Sequence, residues 1–330
     1  MYTDEDLEGA VKEGIFTQDS VTQFRSFMAS KADVRPADEE NIRLVNSFSD
    51  IFVVVACALL IFSTAWVTHG LSQTISMLLV VALSWGLAEF FVLRRNMALP
   101  AIVLLVSYAG GTFSLVLSLF VIPSEPAIML AGLVSSVATW LHWKRFKVPI
   151  TVAAGTAAAI VFLVAAMLSV FPALKVHINL LTFLAGLGVF YVAMYWDSAD
   201  VERVTRKSDV AFWLHLAAAP LIVHPIFTNL GILKGNQGVS AIVIVVVLYV
   251  LLSVVSLVID RRAFMVSSLI YVLYALTQLF EMYGLAGDSF AYVGVIIGSS
   301  LLMLSGFWGQ ARRVVYQWLP AYVQGKVPGV

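Results

Sequence analysis

The sequence predicts an all-α integral membrane protein of about ten transmembrane helices, with both termini cytoplasmic and a small N-terminal cytoplasmic helical segment. Three observations predict it. The 330 residues are 60% hydrophobic and 12% charged, with a mean hydropathy of +0.92. Soluble globular proteins carry roughly 25% charged residues, so this composition excludes a cytosolic enzyme, a nucleic-acid binder and a secreted domain. Ten apolar runs come close to the roughly 20 residues that a helix needs to cross a bilayer. Basic residues gather in alternate loops, which sets the orientation.

The runs lie at about 51–69, 73–93, 98–121, 126–143, 148–170, 174–196, 210–229, 238–259, 263–281 and 290–308. Breakers separate them, among them Pro123-Ser124-Glu125-Pro126, Phe171-Pro172 and Gly235-Asn236-Gln237-Gly238. Ala241–Val258 is rich in β-branched residues, yet unpaired backbone is so costly in lipid that such a run must be helical. Arg94-Arg95, Lys144-Arg145 with Lys147, Arg203 with Arg206 and Lys207, and Arg261-Arg262 occupy every second loop. The intervening loops hold only Lys175 and Lys234, so the basic loops and both ends are expected inside. Trp140, Trp143, Trp196, Trp213 and Trp308 fall near the inner helix ends, as an interfacial belt would.

Residues 1–49 form an expected acidic hairpin and linker, 50–309 the membrane domain and 310–330 a cytoplasmic tail. The first fifty residues carry a balance of −6, and being polar and acidic they are not expected to be a cleavable signal peptide. Thr3 suits a first helix opening on Asp4, Glu5 and Asp6, which Gly14 can end. Thr17 suits a second helix with Val21, Phe24 and Phe27 on one side, and Pro36 a third. This acidic hairpin, followed by a Ser49-Asp50-Ile51-Phe52 entry into a polytopic core, resembles bacterial polytopic inner-membrane proteins with an N-terminal acidic helical hairpin. The resemblance covers the layout of the chain. It implies a bacterial inner-membrane location and no chemistry, since that group has no assigned activity.

Ser49-Asp50-Ile51 before the first run matches Ser208-Asp209-Val210 before the seventh, and Arg94-Arg95 after the second matches Arg261-Arg262 after the eighth. Two parallel four-helix units joined by spans five and six would produce this, although positive-inside loops alone place basic pairs at alternate boundaries.

Polar residues inside the membrane are the functional pointers. Span seven carries His215, Pro220, His224 and Pro225. Each proline frees a backbone carbonyl four residues back, and a broken helix of this kind is a common transporter device. The histidines are nine residues apart, hence on opposite faces, which argues against a shared metal. Tyr271, Tyr274, Gln278 and Glu281 form a stripe on span nine, expected to face the bundle interior. Glu89 in span two can reach interfacial water or the inner arginines, and His142 is expected at the inner boundary. Asp197, Asp200, Arg203, Arg206 and Asp209 recur every three residues, which suggests a helical turn with internal ion pairs. Small-residue stripes include Gly111 on span three, Thr151-Gly155-Ala159 on span five and Gly294-Gly298 on span ten.

The only cysteine, Cys57, lies in an apolar run and excludes an internal disulfide or a Cys-based zinc site. No phosphate loop, dinucleotide turn, metalloprotease motif or nucleophile elbow occurs, so no cofactor, metal or catalytic residue is expected and an enzyme is the least favoured reading. The leading expectation is a protein that binds or transports a small neutral or weakly charged molecule through a cavity lined by spans seven and nine. His215, Pro220, His224, Tyr274, Gln278, Glu281 and Glu89 are its candidate residues. The alternative is a non-transporting scaffold or sensor that anchors the hairpin for a cytoplasmic protein partner. The expected surroundings are the lipid bilayer, a small-molecule ligand or that protein, with no nucleic acid.

Overall fold

The computed structural model describes residues 10–11, 13–24, 48–201, 203, 205–231, 239–282, 289–325, 327 and 329. Two compact units separate, Met1–Glu40 and Asn41–Val330. In the first, Gly14 takes a positive φ of 73° and residues 18–24 are helical. Thr17 caps that helix as expected, accepting from the Ser20 amide at 3.1 Å, and Val21 is buried. The helices expected to open at Thr3 and Pro36, and the loop residues Gly235 and Asp288, lie outside the described residues.

The second unit is helical throughout its described length. Its helices are α1 Phe48–His69, α2 Gln73–Ala88, α3 Ala98–Leu117, α4 Glu125–Phe146, α5 Ile150–Val170, α6 Ile178–Ser198, α7 Arg206–Asn229, α8 Val239–Ile259, α9 Ala263–Met282 and α10 Ser289–Gly306. Two short helices follow, α11 Trp308–Gln317 and α12 Ala321–Gln324. A π-helical turn, Glu89–Arg94, prolongs α2. Among the described residues nine helices are long and apolar enough to cross a membrane; α10 would make a tenth if it counts together with α11, from which a 70° bend divides it. The chain is thus a multi-pass membrane protein. Large apolar side chains such as Phe62, Trp66, Ile270 and Leu302 are exposed on it, as a lipid-facing surface requires.

The sharp turns after α2, α4, α6 and α8 share one device. Each contains a non-glycine residue in the left-handed region: Asn96, Lys147, Arg203 and Asp260, with φ between 52° and 55°. That conformation crowds Cβ, so each must be held by its surroundings. The tightest helix contacts rest on glycines that the small-residue stripes did not single out. A Cβ on Gly132 of α4 would lie 2.7 Å from the Phe162 backbone nitrogen of α5, and one on Gly186 of α6 would lie 2.8 Å from Ile222 of α7. Gly294 and Gly298 have open space where a Cβ would go.

Helix α7 is the central element. In its most apolar window 56% of residues are buried, against 11% for α1. It packs on α5, α6 and α9.

Candidate functional site

The N-terminal end of α7 is built by the preceding turn. Asp200 Oδ2 accepts from the Thr205 amide at 2.9 Å, from Thr205 Oγ1 at 2.6 Å and from the Ser208 amide at 3.3 Å. Thr205 Oγ1 in turn accepts from the Lys207 amide at 3.2 Å. Three of the four orphan N–H groups at the helix start, those of Thr205, Lys207 and Ser208, are therefore satisfied.

One face of this helix end carries a buried charge network. Arg261, from the α8–α9 turn, donates from Nη2 to Asp197 Oδ1 at 2.7 Å and from Nε to Oδ2 at 3.3 Å. The same Nη2 donates to Ser208 Oγ at 3.0 Å. His215 Nε2 donates to Asp197 Oδ2 at 3.1 Å, which leaves its buried Nδ1 without a partner among the described residues. Arg203 donates to Asp260 Oδ2 at 2.7 Å, and the Trp308 indole donates to Asp260 Oδ1 at 2.9 Å. Burial pulls the Arg203 pKa below the usual arginine value, opposed by the carboxylates of Asp260 and Asp197. Side-chain exposures are 2% for Arg261 and 3% for Asp197, so these are desolvated pairs, each held by further hydrogen bonds.

The other face of the same end lines a cleft of about 330 Å³. Helix α7 contributes Arg206, Asp209 and Trp213; the α2–α3 turn contributes Asn96 and Met97; the α4–α5 turn contributes Phe146, Lys147 and Pro149. Ala98 and Ile150 in its wall are the first residues of α3 and α5, so three helices begin at this cleft. Neither Met97 nor Pro149 caps its helix through a side chain. The positive ends of the helix dipoles add to Lys147 and Arg206, with Asp209 as the counter-charge.

The structure relocates several residues singled out in the sequence. Helix α7 is continuous across Pro220 and Pro225, and Pro220 is exposed, so it opens no broken-helix site. The packing around the prolines is close: Ala218 and Ala219 are fully buried, and Gly186 lets α6 pack directly on Leu221 and Ile222. His215 and His224 do take opposite sides. His224 Nδ1 shares a 2.6 Å hydrogen bond with the Tyr271 hydroxyl of α9, whose ring stacks on Phe227 at 4.6 Å. No residue of α9 lines the cleft.

The α9 stripe stays on one side of the helix: at 100° per residue Glu281 lies about 80° from Tyr271 and only about 20° from Tyr274. Tyr271 is buried, Tyr274 and Gln278 are half-buried, and Glu281 is exposed, accepting from Gln278 at 3.1 Å. The expectation that Glu281 faces the interior fails on depth, since it lies one residue from the end of α9 at Met282. Glu89 reaches a neighbouring arginine, accepting from Arg145 Nε and Nη2, both at 2.8 Å.

Three sequence readings change. The acidic-basic run after α6 forms no internal ladder: Asp197 and Arg203 pair instead with Arg261 and Asp260. Trp308 is 6% exposed and belongs to the network rather than to an interfacial belt. His142 is 1% exposed, not interfacial, and sits among Trp85, Tyr108 and Phe146. Its burial could have been read from Ser135, Thr139 and His142, a polar stripe at spacings of four and three on α4.

The chain matches no protein-family model, no curated protein and no solved structure.

Proposed function

We propose that this chain is a bacterial inner-membrane protein of ten spans, with both termini cytoplasmic, that takes a small, weakly charged organic solute into the cleft at the start of α7 and passes it across the bilayer. The orientation rests on the basic alternate loops. Part of the packing recurs as a parallel repeat would have it, α1 on α3, α2 on α3 and α3 on α4 corresponding to α7 on α9, α8 on α9 and α9 on α10, whereas the packing of α1 on α2 has no counterpart of that extent between α7 and α8. The observation that carries the functional reading is the cleft itself. Its volume suits a small molecule, its walls are mostly apolar, and a few polar groups converge on it. Helix α7 presents Arg206 and Asp209 to the cleft and Ser208 and His215 to the charge network, so a solute at one face acts on the helix that the other face anchors.

The test is a thermal-shift screen of the purified protein against organic acids, amines and zwitterions. A ligand that binds only the folded state raises the melting temperature. The expected result is a hit that is lost in both Asp209→Asn and Arg206→Gln. A screen without hits, or hits unaffected by both substitutions, overturns the reading.

The scaffold reading has one observation in its favour. Ile15 and Phe16, at the turn before the Thr17-capped helix, are 66% and 47% exposed. A protein partner would cover them, and Phe16→Ser would then abolish its capture while leaving ligand shifts intact.

A further inference from the structure

One wall residue of the cleft is an aromatic ring, and that ring packs on a buried imidazole with an unused nitrogen. Phe146, the last residue of α4, lines the cleft and is 7% exposed. Its ring centroid is 4.4 Å from that of His142 and 5.0 Å from that of Trp85. His142 is one helical turn further into the membrane on the same face of α4. Its Nδ1 meets Thr151 Oγ1 at 3.2 Å, while its Nε2 is buried and has no partner among the described residues. Tyr108 completes the ring cluster, 5.5 Å from His142 and 5.3 Å from Trp85.

Two neighbours of His142 lie on elements that also line the cleft. Ala101 lines the cleft, and Tyr108 lies seven residues on, along the same face of α3. Thr151 follows Ile150, another cleft residue. Phe146 is the only ring shared by the cleft wall and the His142 cluster among the described residues. It is also followed at once by Lys147, whose φ of 54° ends α4. A side chain at a helix terminus, next to a turn, can change rotamer without disturbing a helix interior.

An unpartnered buried nitrogen is costly, and a native structure needs a reason for it. A change of the Phe146 rotamer would vacate a ring-sized space bounded by Trp85, Tyr108 and His142, and a hydrogen-bonding atom on a planar guest there would satisfy Nε2. At the mouth, Lys147, Arg206 and the starts of three helices favour a carboxylate. We propose that Phe146 is a gate between the cleft and an inner subsite, and that His142 Nε2 is the inner polar contact for a small carboxylic acid with a flat ring. This rests on the reading of the cleft as a solute site and names the class of solute.

The experiment is ethoxycarbonylation of the native histidines by diethyl pyrocarbonate, followed by mass spectrometry on the purified full chain. His69 and His177 are exposed and serve as internal references. In the wild type His142 is expected to react at least tenfold more slowly than they do. In Phe146→Ala its rate should rise at least tenfold relative to the references, and millimolar 4-hydroxybenzoate, whose hydroxyl can reach Nε2 while its carboxylate stays at the mouth, should reverse most of that rise. Phe146→Leu, which keeps most of the packing, should give an intermediate rate and serves if the alanine variant does not fold. Unchanged His142 reactivity in a folded Phe146 variant overturns the gate. A rise that 4-hydroxybenzoate does not reduce overturns His142 as the inner contact for an aromatic acid. The gate measurement needs no ligand, so its failure is distinct from an empty thermal-shift screen, which would overturn the solute site itself.

Discussion

The α2–α4 and α6–α9 regions each use an arginine gripping a carboxylate with two nitrogens, and the two pairs differ in what surrounds them. Arg145 and Glu89 have side chains 55% and 35% exposed, and their bonds join only α4 to the end of α2. Arg261 and Asp197 are nearly inaccessible and share their hydrogen bonds with Ser208 and His215. An exposed pair gains little, because water and salt screen it. A buried pair gains no more in net terms when intact, but breaking it strands a desolvated charge. The buried cluster therefore fixes the relation of α6, α7 and the α8–α9 turn, while the exposed one trims a surface.

The largest effect that comparison predicts is for Arg261→Met, which leaves Asp197 buried without its guanidinium. The expected cost is about 3–5 kcal/mol, read as a fall in detergent melting temperature or denaturant midpoint. Asp197→Asn with Arg261→Met should recover much of it, because the stranded charge is gone. A single variant as stable as wild type would show that the cluster is not desolvated.

A smaller effect is expected where packing without charge joins α6 to α7. Gly186→Ala puts a methyl group 2.9 Å from the Leu221 backbone carbon, so α6 must shift, at a cost of about 1–3 kcal/mol by the same measurement. Gly188→Ala, with open space around it, should be neutral and acts as the control.

The smallest effect is for Glu89→Gln. It removes the exposed pair and should leave melting nearly unchanged, with whatever shift it causes vanishing in high salt. A large, salt-independent loss would mean that the two regions are held alike and would end the comparison.

Part of this design was legible in the residues. The spans could be read because bilayer thickness and backbone hydrogen bonding act on each run separately. The Thr17 cap and the opposite placing of His215 and His224 could be read for a similar reason, since both follow from local helix geometry. The cleft could not, because its residues lie as far apart as Asn96 and Asp209 and no spacing rule links them. Pro220 pointed to a broken helix only while its neighbours were unknown.

By itself, then, the sequence determined a helical membrane protein with its charges confined to helix ends, since lipid leaves an apolar chain no other choice. Only the tertiary structure decided which charge meets which. The spacing of Asp197, Asp200 and Arg203 suited pairing among themselves as well as with a distant turn. The packing of α6 against α7 through Gly186, and the left-handed turn at Asp260, brought Arg261 to Asp197 and Arg203 to Asp260. The same holds for His142: helical periodicity gives the face a side chain occupies, and only the neighbouring helices decide whether that face meets water, lipid or three aromatic rings.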